Sequence, residues 1–234
     1  MKGVPRRIWI AGAALLLLAI IAFIPLRVAV GGQAVSARKV DGIIWAGSVR
    51  DLRIASLAIG DVNAGLRFWP LLIGRATMDF ERGDAAFSAG IRGSVTRRGG
   101  GYSINNLNAA FPLSQIFSPL PFENLALQDF SARFHYGRCV EASGSIRLSL
   151  GGSIPGIDVT NGLIGKPRCD RGDLLLPLIS QSAMEHVDIR IKTDGSYNAT
   201  VFLEGDRGEY APMLGLSGFR SIAGGYRFAR KGRL

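Results

Sequence analysis

Two histidines, two cysteines and a scatter of carboxylates have the widest chemical range in this chain of 234 residues. His135 and His186 each sit in a run of alternating apolar and polar residues. As general bases they would need a nucleophile and an orienting acid brought together in space; as half-exposed strand histidines they need neither. The chain has no G-x-S-x-G elbow, no H-E-x-x-H pair and no G-x-G-x-x-G turn, the patterns that serve acyl transfer, zinc hydrolysis and dinucleotide binding. Gly165-Lys166 is followed by Pro167 where a phosphate-binding loop needs Ser or Thr, and position 160 is Thr rather than Gly. Asp61, Asp84 and Asp194 fall beside glycines, where Asp commonly accepts a hydrogen bond from its own backbone. The expectation is a protein that is not an enzyme, with no cofactor, metal or small-molecule substrate.

Cys139 and Cys169 are the only cysteines, and their chemistry depends on the compartment. In an oxidising one they form a disulfide closing a loop of about 30 residues, worth roughly 3 kcal/mol in the chain-entropy model. A two-cysteine metal site is the alternative, although no ligand stands at C-x-x-C spacing.

The N-terminus sets the compartment. Ile8 to Ile24 reads IWIAGAALLLLAIIAFI, 17 residues without a charge. As a helix it spans about 26 Å, near the short limit for a bilayer core of about 30 Å. Trp9 suits the near interface, and Arg27 can snorkel at the far one. Lys2, Arg6 and Arg7 precede the run, so the positive-inside rule keeps residues 1–7 cytoplasmic, makes 8–26 the anchor and places 27–234 outside. A cleaved signal peptide competes, with Val35-Ser36-Ala37 as its cleavage context. Against it, the run is longer than the usual signal core and ends more than ten residues before that context.

The net charge of +10 does not point to nucleic acid. All acidic residues lie between Asp41 and Glu209, where bases nearly balance them. The excess sits in Lys2, Arg6, Arg7 and Arg27 at the front and in Arg220, Arg227, Arg230, Lys231 and Arg233 at the back. A phosphate-tracking stripe interleaves its charges with aromatics instead. A basic tail can touch anionic headgroups or an acidic partner, or simply be solvated.

The elements that position these residues are strands. Apolar and polar residues alternate in Leu52–Ile59, Ala76–Glu81, Ala85–Val95, Leu125–His135, Ser145–Leu150, His186–Lys192, Ser196–Leu203 and Tyr226–Ala229. Turns are expected at Ile59-Gly60-Asp61, Arg82-Gly83-Asp84 and Thr193-Asp194-Gly195, with a hairpin tip at Arg97-Arg98-Gly99-Gly100-Gly101. Pro112–Ser118 and Glu209–Leu216 read as short helices. The predicted fold is mainly β: one anchor helix followed by a twisted antiparallel sheet or sandwich with one or two short helices.

Five blocks, in order, carry a resemblance. Asp41-Gly42-Ile43-Ile44-Trp45-Ala46-Gly47 gives G-x-x-W-x-G, and Phe68-Trp69-Pro70-Leu71-Leu72-Ile73-Gly74 an aromatic, Pro, Leu-Leu, Gly segment. Cys139 with Gly144 and Cys169 with Asp170 form a two-cysteine centre; Asp194-Gly195-Ser196-Tyr197 is D-G-x-Y, and Gly224-Gly225-Tyr226-Arg227-Phe228 closes the series. This order resembles the general secretion pathway protein N family, the N component of type II secretion, with Trp45 expected to face the core from a short strand. The resemblance implies an accessory inner-membrane subunit of the machine that moves folded proteins across the outer membrane. Its partners would be other subunits of that machine and inner-membrane lipid, and its means scaffolding rather than catalysis. Two other readings stand beside it. One is a β-groove passing lipid between membranes, which requires an uncovered apolar face on successive strands; the other is a periplasmic hydrolase built on His135 or His186.

Overall fold

The computed structural model describes residues 22–27, 35–54, 57–82, 90–113, 122–151, 162–206 and 208–233. The chain first forms β1 (Val35–Ser36), β2 (Lys39–Ile43), β3 (Ala46–Ile54) and β4 (Leu57–Leu66). Helix α1 (Phe68–Leu72) precedes β5 (Ala76–Arg82), β6 (Ile91–Arg98), β7 (Gly101–Pro112), β8 (Phe122–His135) and β9 (Arg138–Leu150). Then come β10 (Leu163–Gly165), β11 (Arg168–Asp170), β12 (Asp173–Ile179), β13 (Glu185–Ile191) and β14 (Ser196–Glu204). A 3-10 turn (Gly208–Tyr210) and α2 (Ala211–Leu216) lead into β15 (Arg220–Ile222) and β16 (Gly225–Arg233).

All sixteen strands belong to one sheet, in which most strands pair with the next in sequence. The predicted mainly β, antiparallel fold with two short helices is what the described residues form. Residues directly opposite on paired strands share a face, so register traces the core. Leu174 faces Ile191, which faces Tyr197; Leu176 faces Ile189, then Ala199; Leu178 faces Val187, then Val201. All of these side chains but the partly buried Ile191 are buried, and all pack in one apolar cluster running from Ile59 to Leu214. A fully buried aliphatic side chain contributes about 1.5 to 3 kcal/mol, so this face holds the sheet together.

Several strands carry an extra residue. Register shifts occur between Val49 and Leu52, between Ile104 and Leu107, and between Gln128 and Ser131. Asp51, Asn106 and Asp129 lie inside those shifts with φ of 51°, 47° and 49°, a left-handed conformation that Asn and Asp tolerate best after Gly. Side chains tie the bulges across strands. The Asp51 amide donates to Asp61 Oδ1 at 2.9 Å and the Asn106 amide to Ser131 Oγ at 3.0 Å. The Asp129 amide donates to Asn108 Oδ1 at 3.0 Å. Such bulges bend and twist strands, which lets long β7 and β8 curve.

The structure differs from the sequence expectation in several places. Leu52–Ile59 is not one strand: it reverses, with Arg53 paired to Ala58 and Ile54 to Leu57. Ile59-Gly60-Asp61 is no turn, because Gly60 sits within β4 opposite the bulge at Leu52. Phe68–Leu72 is a helix that the alternation did not predict. The basic residues Lys2, Arg6 and Arg7, the anchor residues Ile8 and Trp9, the turn at Gly83-Asp84 and most of the helix expected at Pro112–Ser118 lie outside the described residues. Among the described residues no helix is long and apolar enough to cross a membrane.

Candidate functional site

Because successive strands reverse, their connections alternate between two ends of the sheet. The proximal end is where residues 24–26 join. The Leu26 amide donates to the Gly42 carbonyl at 3.1 Å, and the Ile44 amide to the Ile24 carbonyl at 2.8 Å. Leu26 is fully buried against Val49 and Ala64. The two glycines of G-x-x-W-x-G make room for this seam. A Cβ on Gly42, at φ +93°, would lie 2.7 Å from the Ala46 carbonyl oxygen; one on Gly47 would lie 2.6 Å from the Asp41 oxygen and 2.7 Å from Leu26 Cδ2.

Trp45 does not face the core from a strand. It occupies the two-residue turn between β2 and β3 and is half-buried. Its ring meets Phe68 edge-on at 5.8 Å, and Phe68 meets Trp69 at the same distance. Pro70 lies in the first turn of α1, where a missing N–H costs nothing. A bidentate pair holds the segment to the sheet: Arg67 donates from Nε to Asp79 Oδ2 at 2.6 Å and from Nη2 to Oδ1 at 2.7 Å. The apolar side chains of this short element point outward. Phe68 is 50 % exposed, Trp69 77 %, and Leu72 and Ile73 64 % each.

The remaining proximal connections are tight turns at Gly99-Gly100, Tyr136-Gly137, Arg171-Gly172 and residues 192–195. The hairpin tip expected at Arg97–Gly101 is there. So is the D-G-x-Y turn: Asp194 Oδ1 accepts from the Ser196 amide at 2.8 Å and from Ser196 Oγ at 2.7 Å, bonds that lower its pKa. Gly195 has φ +81°. Tyr197 is buried opposite Gly232, where any Cβ would strike the Tyr197 ring and hydroxyl. Gly225 opens β16 opposite Glu204, and half-buried Tyr226 packs on the core.

Cys139 and Cys169 form a disulfide with Cα atoms 5.4 Å apart, joining β9 to β11. Beside it Arg190 bonds both the carbonyl and the carboxylate of Asp170, with Asp173 Oδ2 at 3.7 Å. The Arg190 hydrogen bond holds the Asp170 carboxyl below the usual carboxylate range.

The histidines are not brought together. His135 lies against Tyr136, ring centroids 4.4 Å apart. His186 Nε2 meets the Ala183 carbonyl at 2.9 Å and Glu204 Oε1 at 3.4 Å. Buried Glu185 accepts from Ser180 Oγ and Ser182 Oγ, each at 2.7 Å, closing the 180–184 turn at the distal end. That distal end also carries α2 and exposes Met184, Met213, Leu216 and Ile222. Among the described residues no group of His, Cys, Asp and Glu could hold a metal ion.

No curated protein and no solved structure matches this chain. A family model for protein N of the type II secretion system matches residues 33–229, from before β1 into β16 and through every motif block described above. The chain therefore belongs to the type II secretion system protein N family.

Proposed function

We propose that this protein is an accessory inner-membrane subunit of the type II secretion system that scaffolds neighbouring subunits from a periplasmic β domain. The observation that carries the reading is the family match over residues 33–229. Two features of the fold agree with it. The Cys139–Cys169 disulfide suits an oxidising compartment, as the periplasm is. Leu26, directly after the apolar run, is a buried part of the domain, so cleavage after Ala37 would strip a core side chain from the sheet. Residues 8–24, two fewer than the expected 8–26 because Leu26 packs in the domain, then serve as a retained anchor, with residues 1–7 cytoplasmic and the domain periplasmic.

The scaffold's docking surface is its distal end, where Met184, Met213, Leu216 and Ile222 are exposed. Flexible, polarisable methionines suit an adaptable protein contact. The lipid-groove reading needs an open apolar face. One face is indeed apolar on successive strands, but its side chains are buried, which favours a packed core.

The test is photo-crosslinking in intact cells from positions 184, 213, 216 and 222, with adducts identified by mass spectrometry. Adducts with secretion-system subunits are expected. Lipid adducts along the inner strand face, without any such subunit, would overturn the scaffold in favour of the groove. Thiol-reagent labelling of introduced cysteines from the periplasmic side checks the topology separately.

A further inference from the structure

We infer that the proximal end of the sheet is a membrane-seating face: Phe68, Trp69, Leu72 and Ile73 enter the outer leaflet interface of the anionic bilayer that holds the anchor. The inference rests on the anchor reading of residues 8–24. It goes further by assigning a lipid contact to the β domain itself.

Position is the first argument. Ile24 and Leu26 are hydrogen-bonded to Ile44 and Gly42, Trp45 follows Ile44, and its ring touches Phe68, which touches Trp69. An unbroken line of contacts thus runs from the end of the apolar run to the exposed aromatic side chains. Phe23, at the point of departure, is itself 75 % exposed. A bilayer entered at Phe23 lies beside α1.

Composition is the second. Trp and Tyr prefer the headgroup level, where an apolar body and a polar tip are both solvated. Tyr136, on another proximal turn, is exposed as well. Exposed Arg75, Arg98, Arg138, Arg171 and Lys192 are strung along the turns of the same end, of the sign that anionic headgroups attract. The acids at this end are engaged within the protein: Asp79 by Arg67, Asp170 by Arg190 and Asp194 by Ser196. An apolar, aromatic element on an end whose other turns carry Arg and Lys complements an anionic lipid surface.

Shape is the third. The turns between successive strands at this end are tight, and its one longer connection, 67–75, carries the exposed apolar side chains on α1. Such an end can lie against a plane without a bulky loop intervening.

The test uses single-tryptophan variants of the full chain in vesicles of phosphatidylglycerol and dibrominated phosphatidylcholine. W9F/W45F leaves Trp69, and W45F/W69F leaves Trp9. Phe at exposed position 69 is a conservative change, and circular dichroism checks that both variants fold. Brominated lipid is expected to quench both tryptophans, Trp69 by about twofold, as for an indole at the headgroup boundary. Trp69 should also be shielded from aqueous acrylamide. Quenching of Trp9 with Trp69 unaffected overturns the seating face and leaves the anchor standing; quenching of neither overturns both. A photo-crosslinker at position 69 that captures protein and no lipid in cells also overturns it.

Discussion

Leu26→Ala tests whether the anchor is sewn into the domain or merely tied to its end. Leu26 is fully buried among Val49, Ala64 and the partly buried Ala37, Val40, Leu52 and Met78. Buried Leu→Ala changes cost about 2 to 5 kcal/mol, depending on how far the site collapses. This cluster is small and meets the main core at Leu52, which packs on both, so its walls relax readily and the lower half applies, about 2 to 3 kcal/mol. The loss falls on the seam, whose two hydrogen bonds join Leu26 to Gly42 and Ile44 to Ile24. Hydrogen exchange of the full chain in lipid nanodiscs reads it directly: the Leu26 and Ile44 amides should exchange roughly a hundredfold faster, the equivalent of about 2.7 kcal/mol. Amides of β13 and β14 should be unchanged. Phe23→Ala, at a side chain 75 % exposed, is the control and should leave the seam protected. Equal exchange in Leu26→Ala and the parent would refute the seam as a structural joint, because a fully packed side chain cannot be removed without cost.

Gly47→Ala should destabilise the chain by about 1 to 3 kcal/mol in urea titrations, as overpacking does. Since half the clash is with Leu26 Cδ2, the double variant with Leu26→Ala should lose less than the sum of the two single changes. Replacing both Cys139 and Cys169 by alanine should cost roughly 3 kcal/mol in the chain-entropy model; an unchanged urea midpoint would show that β11 is held without its covalent link. Asp170→Asn removes a carboxyl whose pKa is lowered by Arg190. A lowered folded pKa contributes stability that is complete above the ordinary carboxylate value and is lost as pH falls through the folded one. The parent should therefore be the more stable at neutral pH, with its advantage shrinking below about pH 4; an advantage that grew in acid would contradict the assignment.

The sequence revealed the sheet wherever alternation ran uninterrupted, as in His186–Lys192 and Ser196–Leu203. It failed where apolar residues continued through a reversal: Leu52 and Ile54 lie on one arm and Leu57 and Ile59 on the other, with Ile54 opposite Leu57. Asp and Asn misled for a physical reason. They mark turns because they accept a left-handed backbone, yet Asp51, Asn106 and Asp129 use that capacity inside strands, where the signal is a bulge. α1 was missed because Phe-Trp-Pro-Leu-Leu has no polar face with which to show a helical period. The cysteine pair, the D-G-x-Y turn and the hairpin tip were legible because each is local or covalent. Trp45 was misplaced: two glycines beside a Trp signal a close approach, and only the fold reveals that the approaching partner is the segment that follows the apolar run.

Joining the seam to the seating face has a mechanical consequence for the scaffold. A domain attached through one helix end can swivel and tilt about that point. The proposed second contact, made by α1 against the same bilayer, would remove most of that freedom, and it would form cheaply because the seam would already hold it close to the surface. The sheet would then stand with its strands rising from the membrane. β14, at 9 residues and about 3.3 Å per residue, would set the height of the apolar residues that follow it at about 30 Å. The exposed methionines and Leu216 at the distal end would be carried at that height and would face partners that reach up from the same membrane. Shortening the strands would lower the docking surface without altering its chemistry. Loss of the seating face would leave the surface intact but unaimed, so a Trp69→Asp variant should retain binding to a purified partner in detergent and lose it selectively in the membrane.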